Sequence, residues 1–153
     1  MNGAGARLAH DAANPHDERA GHGAQGSRPR ALTARLWIAD TPPSLNVLAG
    51  NRWPWIKAKR RWQSDLETLL MAERLPRGLH RIEATALLTF PSSRRRDEGN
   101  YRALLEKSLG DALVAGGWLP DDTPEHFTFG AVTFALGAAR TTVDLTAYPK
   151  ELP

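Results

Sequence analysis

The sequence predicts an α+β fold: a small single domain with a mixed β-sheet and two main helices, preceded by a disordered N-terminal tail. Three observations predict it. At 153 residues the chain fits one hydrophobic core. From Arg35 onward, apolar residues switch between alternating and helical spacing in the order β-α-β-α-β-β, with hairpins next to crossovers. Residues 1–34 follow neither period and contain only Leu8 and Leu32 as large aliphatics. Such a segment buries too little apolar area to offset its conformational entropy, so residues 1–34 are assigned to the tail and 35–150 to the domain.

Each element has its own signal. RLWIAD at 35–40 alternates and runs into Thr41-Pro42-Pro43-Ser44, which reads as a short strand closed by a Pro-Pro turn. Trp62, Leu66, Leu69 and Leu70 recur at helical spacing within 57–74, and Pro76-Arg77-Gly78 stops that helix. HRIEATALLTF at 80–90 is a strand cut off by Pro91, and a second helix spans about 100–115 before Gly116-Gly117. FTFGAVTFAL at 127–136 and RTTVDLTA at 140–147 are β-rich and are separated by Gly137.

Composition excludes several classes. With no cysteine there is no disulfide-stapled scaffold, thiol nucleophile or Cys-ligated zinc site, and a reducing cytoplasm is the expected compartment. No apolar run approaches the ~18 residues that would span a bilayer, so no membrane partner is expected. Twenty Lys+Arg against 17 Asp+Glu leave a net charge of only +3, so any nucleic-acid partner must be argued from where the charges sit. His10, His16 and His22 recur six apart in the tail, and the solvated-tail reading outweighs a weak metal-binding one.

The first functional feature is NRWPWIKAKRRWQ at 51–63. Arg52, Lys57, Lys59, Arg60 and Arg61 crowd around Trp53, Trp55 and Trp62, with no acid before Asp65. Cations near a helix N-terminus oppose the macrodipole, so something outside the chain is expected to compensate. Nucleic acid would do so, since phosphates attract the basic groups and indoles stack on unpaired bases. The alternative is a solvated basic face with Trp62 in the core and Trp53 and Trp55 packing a loop.

The second feature is SSRRRDEGNYRALLEKSLGDALVAGGWLPDDTPEH at 92–126. Arg94, Arg95 and Arg96 lead into Asp97 and Glu98. At about 100° per residue, Asn100, Lys107 and Asp111 fall within roughly 40° of one stripe, while Leu105, Leu109, Ala112 and Leu113 lie opposite. The stripe points an amide, an ammonium and a carboxylate into one space, and Asp121 and Asp122 follow the Gly116-Gly117 stop. Carboxylates converging beside a basic surface suit a hard ion such as Mg²⁺, with Mn²⁺ as a substitute, in phosphodiester hydrolysis. Each acid also has a structural reading: Asp97 as a helix N-cap, Asp111 as the i,i+4 partner of Lys107, and Asp121 and Asp122 as turn residues.

The run RRRDEGN…LEKSLGDALVAGGWLPDD resembles the signature of the RusA-like Holliday-junction resolvases: an Arg-rich stretch, Asp-x-Asp-Asn, a helix with Lys and Asp-Ala-Leu, and a terminal Asp-Asp. Pro42-Pro43-Ser44-Leu45-Asn46 resembles that family's Pro-Pro-Ser-Asn motif, and the similarity covers roughly residues 35–147. It implies a homodimeric, Mg²⁺-dependent endonuclease, often prophage-encoded, that nicks branched DNA in recombination and repair. Asp97 and Asp122 then match the metal carboxylates and Lys107 the catalytic lysine, while Asn46, Asn100 and the arginines and lysines above fall in the DNA-binding surface. Gly99 stands where the family has its second metal-binding Asp, and the gap from Asn100 to Lys107 is about one turn longer than in the shortest members. Glu98 or Asp111 is the candidate replacement. Retention of Asp97, Lys107 and Asp122 favours a nuclease; Gly99 favours a relative that binds branched or single-stranded DNA without cutting it.

Overall fold

The computed structural model describes residues 4–10, 30–48 and 52–151. A five-stranded sheet of order β1-β2-β5-β3-β4 carries two long helices. The strands are β1 (Ala4–His10), β2 (Leu32–Ile38), β3 (Leu79–Phe90), β4 (Phe127–Leu136) and β5 (Arg140–Pro149). The helices are α1 (Leu45–Leu48), α2 (Arg52–Ala72) and α3 (Gly99–Ala115). β3 and β4 are parallel, whereas the β1-β2, β2-β5 and β3-β5 pairs are antiparallel, so the sheet is mixed as predicted.

Two boundaries move into the stretch assigned to the tail. β2 begins at Leu32, and Ala4–His10 pairs along its outer edge. A backbone ladder needs no large side chain, and here the smallest one is required: the Trp37 indole lies over Gly5, its cross-strand partner, so closely that a Cβ at Gly5 would collide with it. Residues 11–29, including His16 and His22, lie outside the described residues, as does the side chain of His10.

The order of the last strands also differs from the hairpin that Gly137 suggests. β4 and β5 do not pair, because β3 lies between them. β3 ends at Phe90, and the connection from β4 to β5 crosses that end, where the Gly137 N–H donates to the Phe90 carbonyl at 2.8 Å. α2 starts earlier than its apolar spacing shows, because Pro54 occupies the first turn, where a missing N–H forfeits no helical bond.

The core lies between the helices and one face of the sheet. Trp62, Leu66, Leu69 and Leu70 of α2 meet Leu105, Leu109 and Leu113 of α3 together with Leu36, Ile82, Leu88, Val143 and Leu145 from the strands. α3 is buried over a wider arc than one apolar stripe, since Leu104 and Ser108 are also covered; α2 packs over that flank, and the Ser108 hydroxyl reaches the Lys59 carbonyl. After α3 the chain reverses at Gly117, whose φ of 75° favours glycine. Trp118 then drops into the core, its Nε1 donating to the Leu75 carbonyl at 2.9 Å.

One core group works against the fold. Glu73, just after α2, is 6% exposed, and its Oε2 has no hydrogen-bond partner among the described residues. Burial pushes its carboxyl above the ordinary value near 4.5. The ionised form is therefore disfavoured in the folded state, and stability falls as pH rises from about 4.5 through the raised folded value. Glu73→Leu is expected to stabilise the protein by about 1–3 kcal/mol at neutral pH. Urea unfolding at about pH 5 and about pH 8 checks this, with a smaller gain for the variant at the lower pH.

Candidate active site and nucleic-acid interface

The structure divides the candidate residues into two groups along α3. Lys107, Asp111 and Asp122 come together at its centre. Lys107 Nζ is 3.3 Å from Asp111 Oδ1 and 3.9 Å from Asp122 Oδ2. The first contact follows from i,i+4 spacing. The second depends on the loop after Trp118, which folds back until the Asp122 Cβ is 3.3 Å from where a Cβ on Gly110 would lie. Gly110 therefore admits the acidic loop to the helix surface. α2 adds a partner that spacing along α3 does not reveal, because Lys59 forms an ion pair with the Asp111 carboxylate.

Four alternating charges thus run Lys59, Asp111, Lys107, Asp122. Partial burial alone would push the Asp111 carboxyl up, but hydrogen bonds and charge from Lys59 and Lys107 more than reverse it, and the group lies below the usual carboxylate range. Lys107 and Asp122 are the exposed members, with 55% and 44% of their side chains open to solvent against 23% for Asp111. Asp121 turns away: its Oδ1 accepts from the N–H and hydroxyl of Thr123, which hold its carboxyl low.

The other group sits at the start of α3. Asp97 Oδ1 accepts from the Gly99 N–H at 3.0 Å, so Asp97 closes the entry to the helix much as an N-cap would. Glu98 is paired with Arg102 and also accepts from the Val132 N–H of β4 at 3.3 Å; Arg102 in turn donates to the Phe129 carbonyl at 2.7 Å. The Arg102 hydrogen bond, followed by that of Val132, holds the Glu98 carboxyl below its ordinary value. Gly99 and Gly110 lie about three turns apart, roughly 16 Å along the axis. The fold therefore does not bring Asp97 beside Asp122, and Asn100 stays with Asp97 in the first turn of α3, its N–H donating to the Asp97 carbonyl at 3.1 Å.

Among the described residues no three His, Asp or Glu side chains are disposed to hold a metal ion. The donor set that fits a divalent ion best is Asp111 with Asp122, because both already face one cation, Lys107 Nζ. Two carboxylates with retained waters suit Mg²⁺, which dehydrates reluctantly. Glu98 would first have to leave Arg102 and Val132.

The basic residues also separate. Arg61 is paired with Asp40 at 2.8 Å and Lys59 with Asp111. Arg96 lies 3.8 Å above the Phe90 ring and donates to the Ser92 and Arg94 carbonyls. Arg52, Lys57, Arg60, Arg94 and Arg95 are exposed and make no ion pair among the described residues. Asn46 is exposed on α1, which packs against α2 and α3. The three tryptophans take different places: Trp62 is in the core, Trp55 packs partly against it, and Trp53 is 75% exposed.

Gly99 has no positive φ, and a Cβ there would meet only Asp97 Oδ1, at an ordinary 3.5 Å. Gly99→Asp is therefore expected to fold and to gain about 0.5 kcal/mol or more from helix propensity and the N-terminal dipole. It would put a second carboxylate beside Asp97, so calorimetric titration is expected to show tighter Mg²⁺ binding than for the wild-type chain. A stable variant with unaltered Mg²⁺ affinity would show that Asp97 and position 99 form no ion site apart from Asp111 and Asp122.

No protein-family model matches the chain, and no curated protein matches it. No helix among the described residues is long and apolar enough to cross a membrane.

Proposed function

We propose that the protein is a structure-selective endonuclease of the RusA-like kind that hydrolyses phosphodiester bonds in branched DNA with Mg²⁺, acting as a homodimer in the cytoplasm. The observation that carries this reading is the placement of Lys107 between Asp111 and Asp122, on a helix flanked by cations that make no ion pair among the described residues. Lys107 is held by two carboxylates but remains largely open to solvent, so it can turn to a phosphate oxygen and stabilise charge developing there. Asp111 and Asp122 would hold the ion, and Lys59 keeps Asp111 ionised and oriented. When bound, Mg²⁺ would supply a water of lowered pKa and a positive charge at the scissile phosphate. Arg52, Lys57, Arg60, Arg94 and Arg95 make no ion pair among the described residues and would meet the DNA backbone.

A second reading has its own support. Glu98 and Asp111 are already neutralised by cations, and Asp97 stands apart from Asp122, an arrangement that suits a protein binding branched DNA without cutting it. Incubation with a four-way DNA junction, with and without Mg²⁺, separates the two. Mg²⁺-dependent symmetric nicks support the endonuclease; retarded but intact junctions support the binder. Neither retardation nor cleavage would refute both.

A further inference from the structure

Among the residues that the proposed chemistry leaves unused, Trp53 has the least internal reason for its position. An indole is costly to leave in water, yet this one is 75% exposed at the start of a helix whose other tryptophans are buried (Trp62) or partly buried (Trp55). Trp53, Ile56, Lys57 and Arg60 follow one another at i, i+3, i+4 and i+7, so they share one face of α2, about 180° from the buried Trp62. With Pro54 they line a shallow depression open to solvent. Its floor is apolar and its rim carries two ammonium or guanidinium groups with no carboxylate partner among the described residues. The nearest acids along the helix are committed elsewhere or lie further on: Asp65 is on another side, and Glu67 accepts from Gln63.

We infer that this face of α2 is a stacking platform for an unpaired base of a single DNA strand, with Lys57 and Arg60 gripping the phosphates on either side of it. The inference deepens the proposed function, on which it rests, by naming the part of a branched substrate the protein would select: an unpaired arm or opened branch point. Duplex DNA offers phosphates but hides its base faces, so a duplex would use the rim and leave the indole in water. A single strand uses both. An anionic membrane would also match an aromatic residue among cations, but the surface holds one indole and one isoleucine between charges, too small an apolar area for interfacial anchoring. Base stacking on an aromatic side chain needs only one exposed ring face.

The test compares oligodeoxythymidylate with an abasic strand of equal length and charge, bound to the full chain and followed by anisotropy and by tryptophan fluorescence. The wild-type protein is expected to bind the base-bearing strand about tenfold more tightly, with quenched emission, because a stacked base contributes on that scale. Trp53→Ala should erase this preference while keeping the affinity for the abasic strand, and Trp53→Phe should restore part of it. Thermal midpoints unchanged from wild type would confirm that the variants are folded, as expected for an exposed position. Lys57→Ala with Arg60→Ala should weaken both strands and lower the salt dependence by about 0.7 for each phosphate that is no longer neutralised. Equal wild-type affinity for the two strands, or a preference that survives Trp53→Ala, would overturn the inference. If junctions are still bound in that case, the proposed function stands without the platform; if no DNA binds, both fail. Emission changes with phosphatidylserine vesicles in place of DNA would assign the face to a membrane and likewise overturn it.

Discussion

Asp122→Asn is expected to abolish nicking of a four-way junction, by at least about 10³-fold, while leaving junction affinity equal or tighter. The change keeps the size of the side chain and its seat against Gly110, so the loop should stay in place. It removes the full negative charge next to Lys107 Nζ and one of the two carboxylates best placed for a divalent ion. Losing such a ligand forfeits several kcal/mol of transition-state stabilisation, and each 1.36 kcal/mol is a factor of ten. DNA binding responds in the opposite direction, because a carboxylate repels phosphate and an amide does not. Cleavage rate and gel retardation measured on the same preparations separate the two effects. Unchanged nicking would remove Asp122 from the mechanism; parallel loss of nicking and binding would mean that the substitution damages the surface instead of the chemistry.

Trp118→Ala should cost about 3–5 kcal/mol of folding stability, the largest loss expected from any single truncation here. The indole is 1% exposed, lies against Gly116, and donates to the Leu75 carbonyl, while the Trp118 carbonyl accepts from the Leu79 N–H at 2.8 Å. Truncation would open a cavity and orphan a buried carbonyl at once. Trp118→Phe separates these terms, since it fills most of the volume but cannot donate; it is expected to lose about 1–3 kcal/mol. Urea unfolding of the three proteins gives both values. Domains of this size are stable by only about 5–15 kcal/mol, so the alanine variant should approach the threshold of folding. Trp118 stands four residues before Asp122, so a loosened ring would also release the acidic loop from α3.

The elements were more legible in the sequence than their arrangement. β4 matches its run of aromatic and β-branched residues, and α3 begins and ends within a residue of its predicted limits, because Gly116-Gly117 and the motif before Asn100 are strong local punctuation. Strand order was not legible, since three residues around Gly137 can form a hairpin or cross the end of a third strand, and only the register of β3 decides. The start of α2 was hidden by Pro54, which reads as a break although it suits a first turn. At the site, the Lys107-Asp111 pair was written in the spacing, but Lys59 reaches Asp111 across the packing of α2 on α3, a contact that no periodicity encodes. The Glu98–Arg102 pair was also written in the i,i+4 spacing, but the second bond to Glu98, from the Val132 N–H, comes from a strand remote in sequence.

That engagement of Glu98 bears on the outer edge of the sheet. β4 ends the sheet on one side, and an outermost strand with free amides and carbonyls is a template onto which another chain can add. The exposed Leu136 would make such addition more favourable. The Val132 amide and the Phe129 carbonyl are instead occupied by Glu98 and Arg102, so an incoming strand would have to break an ion pair before it could bond there. The Glu98–Arg102 pair at the start of α3 therefore covers this stretch of the sheet edge, so a carboxylate that the sequence presents as a candidate ion ligand is spent on closing a strand.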